Sequence, residues 1–240
     1  MFAAMNPIAI GYFPRRPCRR GSGGRILPPQ LEEMCNVGHP GPCGPPDWIN
    51  LWLHNELWVY DTEARAWAVA ADNANLHRLR AELSGHWDGI PGSADAAMDR
   101  YIARHVPLPE PAAPSEGARF DWDLYAYRMF PVRFAHGKEE PFAISLVGVQ
   151  PLPEDYDWLG YDVVSRETDA EFGCSPLDCN GLCVKVAVNR YCLVNELGLA
   201  FRLAKEWSIG EYQPDGSYVG PAEPGPYYVV EVFRKRIPRC

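Results

Sequence analysis

Two distant stretches of this chain run through the same types of residue in the same order. When Asn55 is laid on Asn189, Leu57-Trp-Val-Tyr60 falls on Tyr191-Cys-Leu-Val194 and Asp61 falls on Asn195. Ala66-Trp67 and Ala70 then fall on Ala200-Phe201 and Ala204 without a gap. The flanks keep the order. Gly11-Tyr12 precedes the first stretch as Gly160-Tyr161 precedes the second, and Tyr125 to Phe130 follows as Tyr228 to Phe233 follows. Each copy reads as strand, cysteine-bearing loop, short strand, helix, strand. One helix covers only one face of a small sheet, so two such units would bury their remaining apolar faces together. The expectation is an α+β fold of two pseudo-repeated β-β-α-β-like units packed as one body. The first spans 1–150 and the second 151–240.

Periodicity fills in the elements. Residues 7–14, 57–60, 123–130, 142–149, 159–165 and 227–233 read as strands. Gly137 with Lys138 and Glu139 suits the turn of a hairpin between the third and fourth of these. Asp61 or Thr62 can cap one helix. Asn195 can cap another, whose Leu197, Ala200, Phe201 and Ala204 share a face. Leu76, Leu79 and Leu83, then Met98, Tyr101, Ile102 and His105, recur at helical spacing, so 74–105 is a helical insert in the first unit. Residues 15–46 and 208–225 are rich in Gly and Pro and read as long loops.

Charge narrows the function classes. The chain carries 31 acidic and 23 basic side chains, for a net charge of −8. The dense basic runs are Arg15 to Arg20 and Arg234 to Arg236, one near each end. A groove tracking a phosphate backbone needs clustered Lys and Arg, so bulk nucleic-acid binding is not expected. An acidic surface suits a basic protein partner. No apolar run is long enough for a membrane span. The first eleven residues lack the charged start and long apolar middle of a signal peptide, so a cytoplasmic chain is expected.

Eight cysteines in 240 residues fall well below the density of a disulfide scaffold. In the cytoplasm they are core thiols, metal ligands or nucleophiles. Cys35, His39 and Cys43 stand at regular spacing in a Gly- and Pro-rich loop, and Cys174 and Cys179 lie in the corresponding loop of the second unit. Thiolate and imidazole from such loops can hold a structural Zn²⁺ tetrahedrally. The competing reading is buried free thiols, because a free Cys packs as a small hydrophobe. No phosphate-binding loop, serine elbow or His-Glu-x-x-His motif is present, and no other cofactor is expected.

Three segments, Gly160-Tyr-Asp-Val-Val-Ser165, Asn189 to Ala204 and Tyr227-Tyr-Val-Val-Glu-Val232, resemble in their order the small ADP-ribosyltransferase-type domains. That resemblance covers under half of the chain. It implies an NAD-using transferase in which Tyr191 stands in a middle strand and Glu231 on the last strand. The family places Arg or His on the first strand, where this chain has Tyr161 and Asp162.

With no complete catalytic set in the sequence, the leading expectation is a soluble, non-catalytic protein-interaction module, acidic and aromatic-rich like toxin-neutralising immunity proteins. Its rivals are the transferase-type enzyme and a Zn-stabilised adaptor. Trp48 and Trp52, approached through Pro45 and Pro46, form the expected partner-binding patch.

Overall fold

The computed structural model describes residues 6–15, 18–20, 27–37, 62–64, 66, 123–142, 151–165 and 175–236. Glu63, Ala64 and Ala66 are helical, and nine strands and one α-helix are described in full. They are β1 (Ile8–Arg15), β2 (Cys18–Arg19), β3 (Glu33–Met34), β4 (Asp123–Ala135), β5 (Lys138–Pro141), β6 (Tyr156–Ser165), α1 (Leu197–Trp207), β7 (Glu211–Tyr212), β8 (Tyr218–Val219) and β9 (Tyr227–Lys235). The main sheet is antiparallel throughout, in the order β1-β4-β9-β6, with β5 paired to the far end of β4. The fold is therefore mixed α+β and mostly strand.

The two long central strands set this architecture. Every residue from Tyr227 to Phe233 is buried, and so are all but two from Asp123 to Val132. Side chains alternate between the faces of a strand, so an unbroken buried run means that both faces are covered. Tyr227 and Val229 join Phe130, Val132, Phe134 and Val163 beneath α1, which contributes Ala200, Phe201, Leu203, Ala204 and Trp207. Phe201 meets Phe130 edge to face at 5.2 Å, and Trp207 meets Tyr227 at 6.2 Å. Tyr228, Val230 and Val232 point the other way, into a core with Ile10, Tyr125, Tyr127, Met129, Val164, Leu193, Cys35 and Val37. Phe233 returns to the α1 face at its far end, where it packs with Tyr12, Leu124, Ala126, Tyr156 and Ala66.

Several local expectations are corrected. The hairpin turn falls at His136-Gly137, but its return strand is 138–141 and begins at once after the turn. The expected strand 142–149 lies outside the described residues beyond Phe142. Asn195 does not cap α1. Its Oδ1 accepts a hydrogen bond from Asn189 Nδ2 at 2.8 Å, and Glu196 precedes the helix without a side-chain cap. The expected short strand at 191–194 is a turn that touches the sheet through one bridge, Tyr161 with Val194. Within 15–46, residues 27–37 are loop apart from β3, and they are packed into the protein. Leu27, Leu31 and Met34 enter the core, and Arg19 pairs with Glu33 in a small ladder. Within 208–225, β7 and β8 form a hairpin around Gln213 to Ser217, a Pro-Asp-Gly turn legible in sequence. The helical insert at 74–105 lies outside the described residues.

Gly160 marks where loop and sheet meet most closely. A register shift lies between Trp158 and Gly160 on β6, and Gly160 has φ 149°. A β-carbon there would fall 2.7 Å from Leu193 Cβ and 3.1 Å from Val194 O. Gly181, at φ 63°, has open space around it. Backbone strain and overpacking act together at the first position and strain alone at the second. Gly160→Ala should therefore lose at least about 2 kcal/mol in denaturant unfolding. Gly181→Ala should lose about 1 kcal/mol. Equal losses would mean that the close approach at Gly160 does not matter.

Candidate functional site

The face opposite α1 carries a buried charge network where residues 31–37 cross it. Glu32 N and Glu33 N donate to Arg190 O, and Cys35 N donates to Tyr191 O, so this segment is tied to the 190–192 turn. Glu33 thereby reaches the end of the sheet. Its Oε2 lies 2.8 Å from Arg234 Nη1, and its Oε1 accepts the Tyr125 hydroxyl at 2.9 Å and the Cys35 thiol at 3.4 Å. Asp123 Oδ2 takes Arg19 Nη2 at 2.5 Å, with Arg234 3.7 Å away. Both carboxylates are buried. Burial is the largest influence on Glu33 and opposes its ionisation. Arg234, Tyr125 and Arg19 together outweigh it and hold its pKa below the usual range. At Asp123 burial wins, helped by the Glu33 charge, and the pKa is raised. Burial likewise pushes the Tyr125 hydroxyl well up, with Cys35 and Glu33 adding to the effect.

A third buried carboxylate holds the cysteine-bearing turn at 175–180. Asp162 Oδ1 accepts Ser175 Oγ at 2.6 Å, Asn36 Nδ2 at 3.2 Å and Val163 N at 2.9 Å, and Oδ2 accepts Val37 N at 2.5 Å. Asn36 Nδ2 also donates to Cys192 O at 2.8 Å. One side chain of β6 thus fastens two separate segments to the sheet.

The α1 face carries a third charged group. Arg128 and Glu231 are register partners, and Arg128 Nε lies 2.8 Å from Glu231 Oε2. The contact is an ion pair at an angle that does not meet hydrogen-bond geometry. Burial raises the Glu231 pKa, against the pull of Arg128. Tyr161 is the register partner of Glu231 on β6, and its ring packs edge to face on Trp158 at 5.3 Å.

The sequence-derived candidates distribute as follows. Cys35 is buried in the Glu33 network, and Cys179 is half-buried in the 175–180 turn, where its N–H donates to Ser175 O. His39, Cys43, Cys174, Trp48 and Trp52 lie outside the described residues. Among the described residues, no group of three or more His, Cys, Asp or Glu is arranged to hold a metal ion. Of the residues that carry the transferase-type resemblance, Tyr161 and Glu231 meet across β6 and β9. Tyr191 packs in the opposite core, with the Arg234 guanidinium 5.3 Å from its ring. Compared with known proteins, the chain matches no family model, no curated protein and no solved structure.

Sequence reasoning gave Glu33 and Asp123 no site role and saw Arg19 and Arg234 only as members of basic runs. The available signal was an acid or base at the border of an apolar run: Asp123 opens β4 and Arg234 lies near the close of β9. It also passed over the most exposed apolar side chains of the described residues away from the cysteine turn. Ile209, Tyr212 and Val219 are 61, 59 and 61% exposed. They cluster in sequence around the β7–β8 hairpin, and residues 206–223 carry Glu206, Glu211, Asp215 and Glu223 with no Lys or Arg.

Asp162 supplies a pH test. Burial is the largest influence and lifts its pKa from 3.8 to about 6, against the hydrogen bonds from Ser175, Val37, Asn36 and Val163. A carboxyl whose pKa is raised on folding stabilises fully below 3.8, and that contribution is lost as pH rises through about 6. The loss amounts to about 3 kcal/mol by pH 7. Carbon-detected titration of the Asp162 carboxyl should show a midpoint near 6. Ser175→Ala should move it upward, because it removes a donor to the ionised form. A wild-type midpoint below the ordinary aspartate value would mean that the donors overcome burial.

Proposed function

We propose that this chain is a non-catalytic protein-interaction module that binds a basic partner through the 209–219 hairpin. The carrying observation is the contrast between its polar clusters and this hairpin. Glu33, Asp123 and Asp162 spend their charge on internal partners inside the fold. Ile209, Tyr212 and Val219 stand exposed in a segment whose charged residues are all acidic. Val219 shares one face of the hairpin with Glu211, and Tyr212 shares the other with Tyr218; the acidic charge steers a basic partner and the exposed apolar side chains supply short-range energy.

The hairpin is also ordered before binding. Gln213 N donates to Ser217 O at 2.7 Å and Gly216 N donates to Gln213 O at 2.9 Å. Asp215 Oδ1 accepts both Ser217 N and Ser217 Oγ. The Tyr218 ring lies across Gly210 and Gly220, and meets Tyr212 at 5.2 Å. A patch held this way loses little conformational entropy on association. Neutralising a basic toxin is one activity such a surface would serve. The Trp48 and Trp52 patch of the sequence reading falls outside the described residues and is not needed for this proposal. The transferase-type reading has the Tyr161–Glu231 pairing in its favour, but Arg128 already engages that carboxylate.

Tyr212→Ser with Val219→Ser changes exposed side chains and should leave folding intact. Affinity capture from the cell that encodes the chain should retain a basic protein on the wild type. The double variant should lose it, and added salt should weaken it on the wild type. Capture of the same proteins by both would remove the hairpin as the interface.

The architecture we propose for the module is the two-unit repeat, 1–150 and 151–240. Supporting it, β1 and β6 flank β4 and β9 in a strand order that reads as two equivalent halves about the β4–β9 pair. β1 shifts register between Ala9 and Gly11, as β6 does between Trp158 and Gly160. Gly11 has φ 147°, beside 149° at Gly160. Ala66 and Ala200, aligned in sequence, are both fully buried. Asn189 Nδ2 donates to Leu159 O at 2.7 Å, while its Oδ1 accepts Tyr191 N at 2.9 Å. Asn189→Ala should cost about 1–3 kcal/mol for the groups left unsatisfied. On the repeat reading Asn55→Ala costs a similar amount in the same unfolding assay. An unchanged midpoint for Asn55→Ala would defeat the repeat.

A further inference from the structure

Two apolar clusters cover the α1 face of the main sheet, and one row of side chains lies between them. Phe130, Val163 and Val229 sit under α1. Tyr12, Ala126 and Phe233 sit at the far end beside Ala66. The row between runs across β1, β4, β9 and β6 as register partners: Ala9, Arg128, Glu231 and Tyr161. Direct partners on antiparallel strands point to the same face, so Arg128, Glu231 and Tyr161 stand side by side. The next row adds Trp158, the β6 partner of Phe233.

This band opens to solvent at its charged and aromatic members. Glu231 is buried, and Arg128 meets it through Nε at 2.8 Å. The Arg128 guanidinium lies 4.7 Å from the centre of the Phe233 ring, and 37% of the side chain is exposed. Among the described residues, no hydrogen bond engages the Arg128 terminal nitrogens or the Tyr161 hydroxyl. Trp158 is 43% exposed, and its ring meets Tyr161 edge to face at 5.3 Å. An aromatic wall therefore stands one strand beyond the ring that carries the guanidinium. Adjacent strands lie about 5 Å apart, a gap that a flat ring with one acid group can span.

We propose that this band binds a small aromatic carboxylate, with its acid group on the Arg128 guanidinium and its ring against Trp158. A guanidinium is a planar fork that holds a carboxylate through two parallel hydrogen bonds. Glu231 steadies the fork from the sheet below it. The Arg128–Glu231 pair is neutral overall, so it sets up no field that gathers anions at large. Affinity then depends on the fork geometry together with the ring, which gains apolar contact from Trp158. The site lies on β4, β6 and β9 and not on the β7–β8 hairpin, so it goes beyond the partner-binding reading and is tested separately from it.

The test follows amide and indole resonances of the full-length chain while naphthoate is added. Expected are shifts at the Trp158 indole and at amides of 126–128, 158–161 and 231–233, with a dissociation constant of about 1 mM or tighter. Naphthamide, its neutral amide, should bind at least about tenfold more weakly, because it cannot offer two charged oxygens to the fork. Inorganic phosphate should also bind more weakly than naphthoate. Trp158→Ala alters an exposed side chain and should weaken naphthoate about fivefold. Arg128→Lys keeps the charge, loses the fork and should weaken it about tenfold. Equal binding of acid and amide, phosphate binding as tight as naphthoate, or no shifts in these three segments overturns the proposal. Should Arg128→Lys fail to fold, the comparison of acid with amide on the wild type still decides.

Discussion

The pairing of β4 with β9 is the constraint on which the rest of the structure depends. Tyr127 stands opposite Val232 at the middle of this ladder, and both strands are buried on two faces. A buried backbone must satisfy its hydrogen bonds within the protein, and a long central antiparallel pair does so over its whole length. Once this register is set, Arg128 meets Glu231 on one face and Tyr125 meets Arg234 on the other. A slip of one residue would exchange these faces and bury every charge in the wrong core. β1 and β6 then add to the outer sides of the pair.

The buried acids act as fasteners between sheet and loops. Glu33 ties residues 31–37 to Arg234 at the end of β9, and Asp162 ties both Asn36 and Ser175 to β6. Desolvation offsets much of the attraction in such pairs, so they add little net stability. Losing one partner is costly because it leaves a charge in the core, and that asymmetry selects one arrangement of the loops. The same logic separates these acids from Glu211 and Asp215, which lie on the exposed hairpin.

Much of the strand pattern was legible in the sequence. The runs around 8–14, 123–130, 159–165 and 227–233 appear as strands, and Leu197, Ala200, Phe201 and Ala204 form one buried or half-buried side of α1. Apolar periodicity reports burial directly, which is why these expectations held. Asn195 was misjudged because capping depends on where the side chain turns. Asn189, six residues earlier, takes its oxygen. The β7–β8 hairpin was missed because two-residue strands leave no periodicity, although Pro214-Asp215-Gly216 marked the turn.

The sequence by itself determined that apolar strands would form a core and that one amphipathic helix would cover part of it. It also fixed the net negative charge and the acidic composition of the 206–223 segment. Only the tertiary structure decided which charges are spent inside. Glu33 and Arg234 are 201 residues apart in the chain and Asn36 and Asp162 are 126 apart, so no local pattern encodes either pair. Likewise Cys183 and Cys192 enter the same core because the turns that carry them both fold against it. Side-chain chemistry is written residue by residue, but a contact exists only after the sheet register and the loop fasteners have fixed the distance.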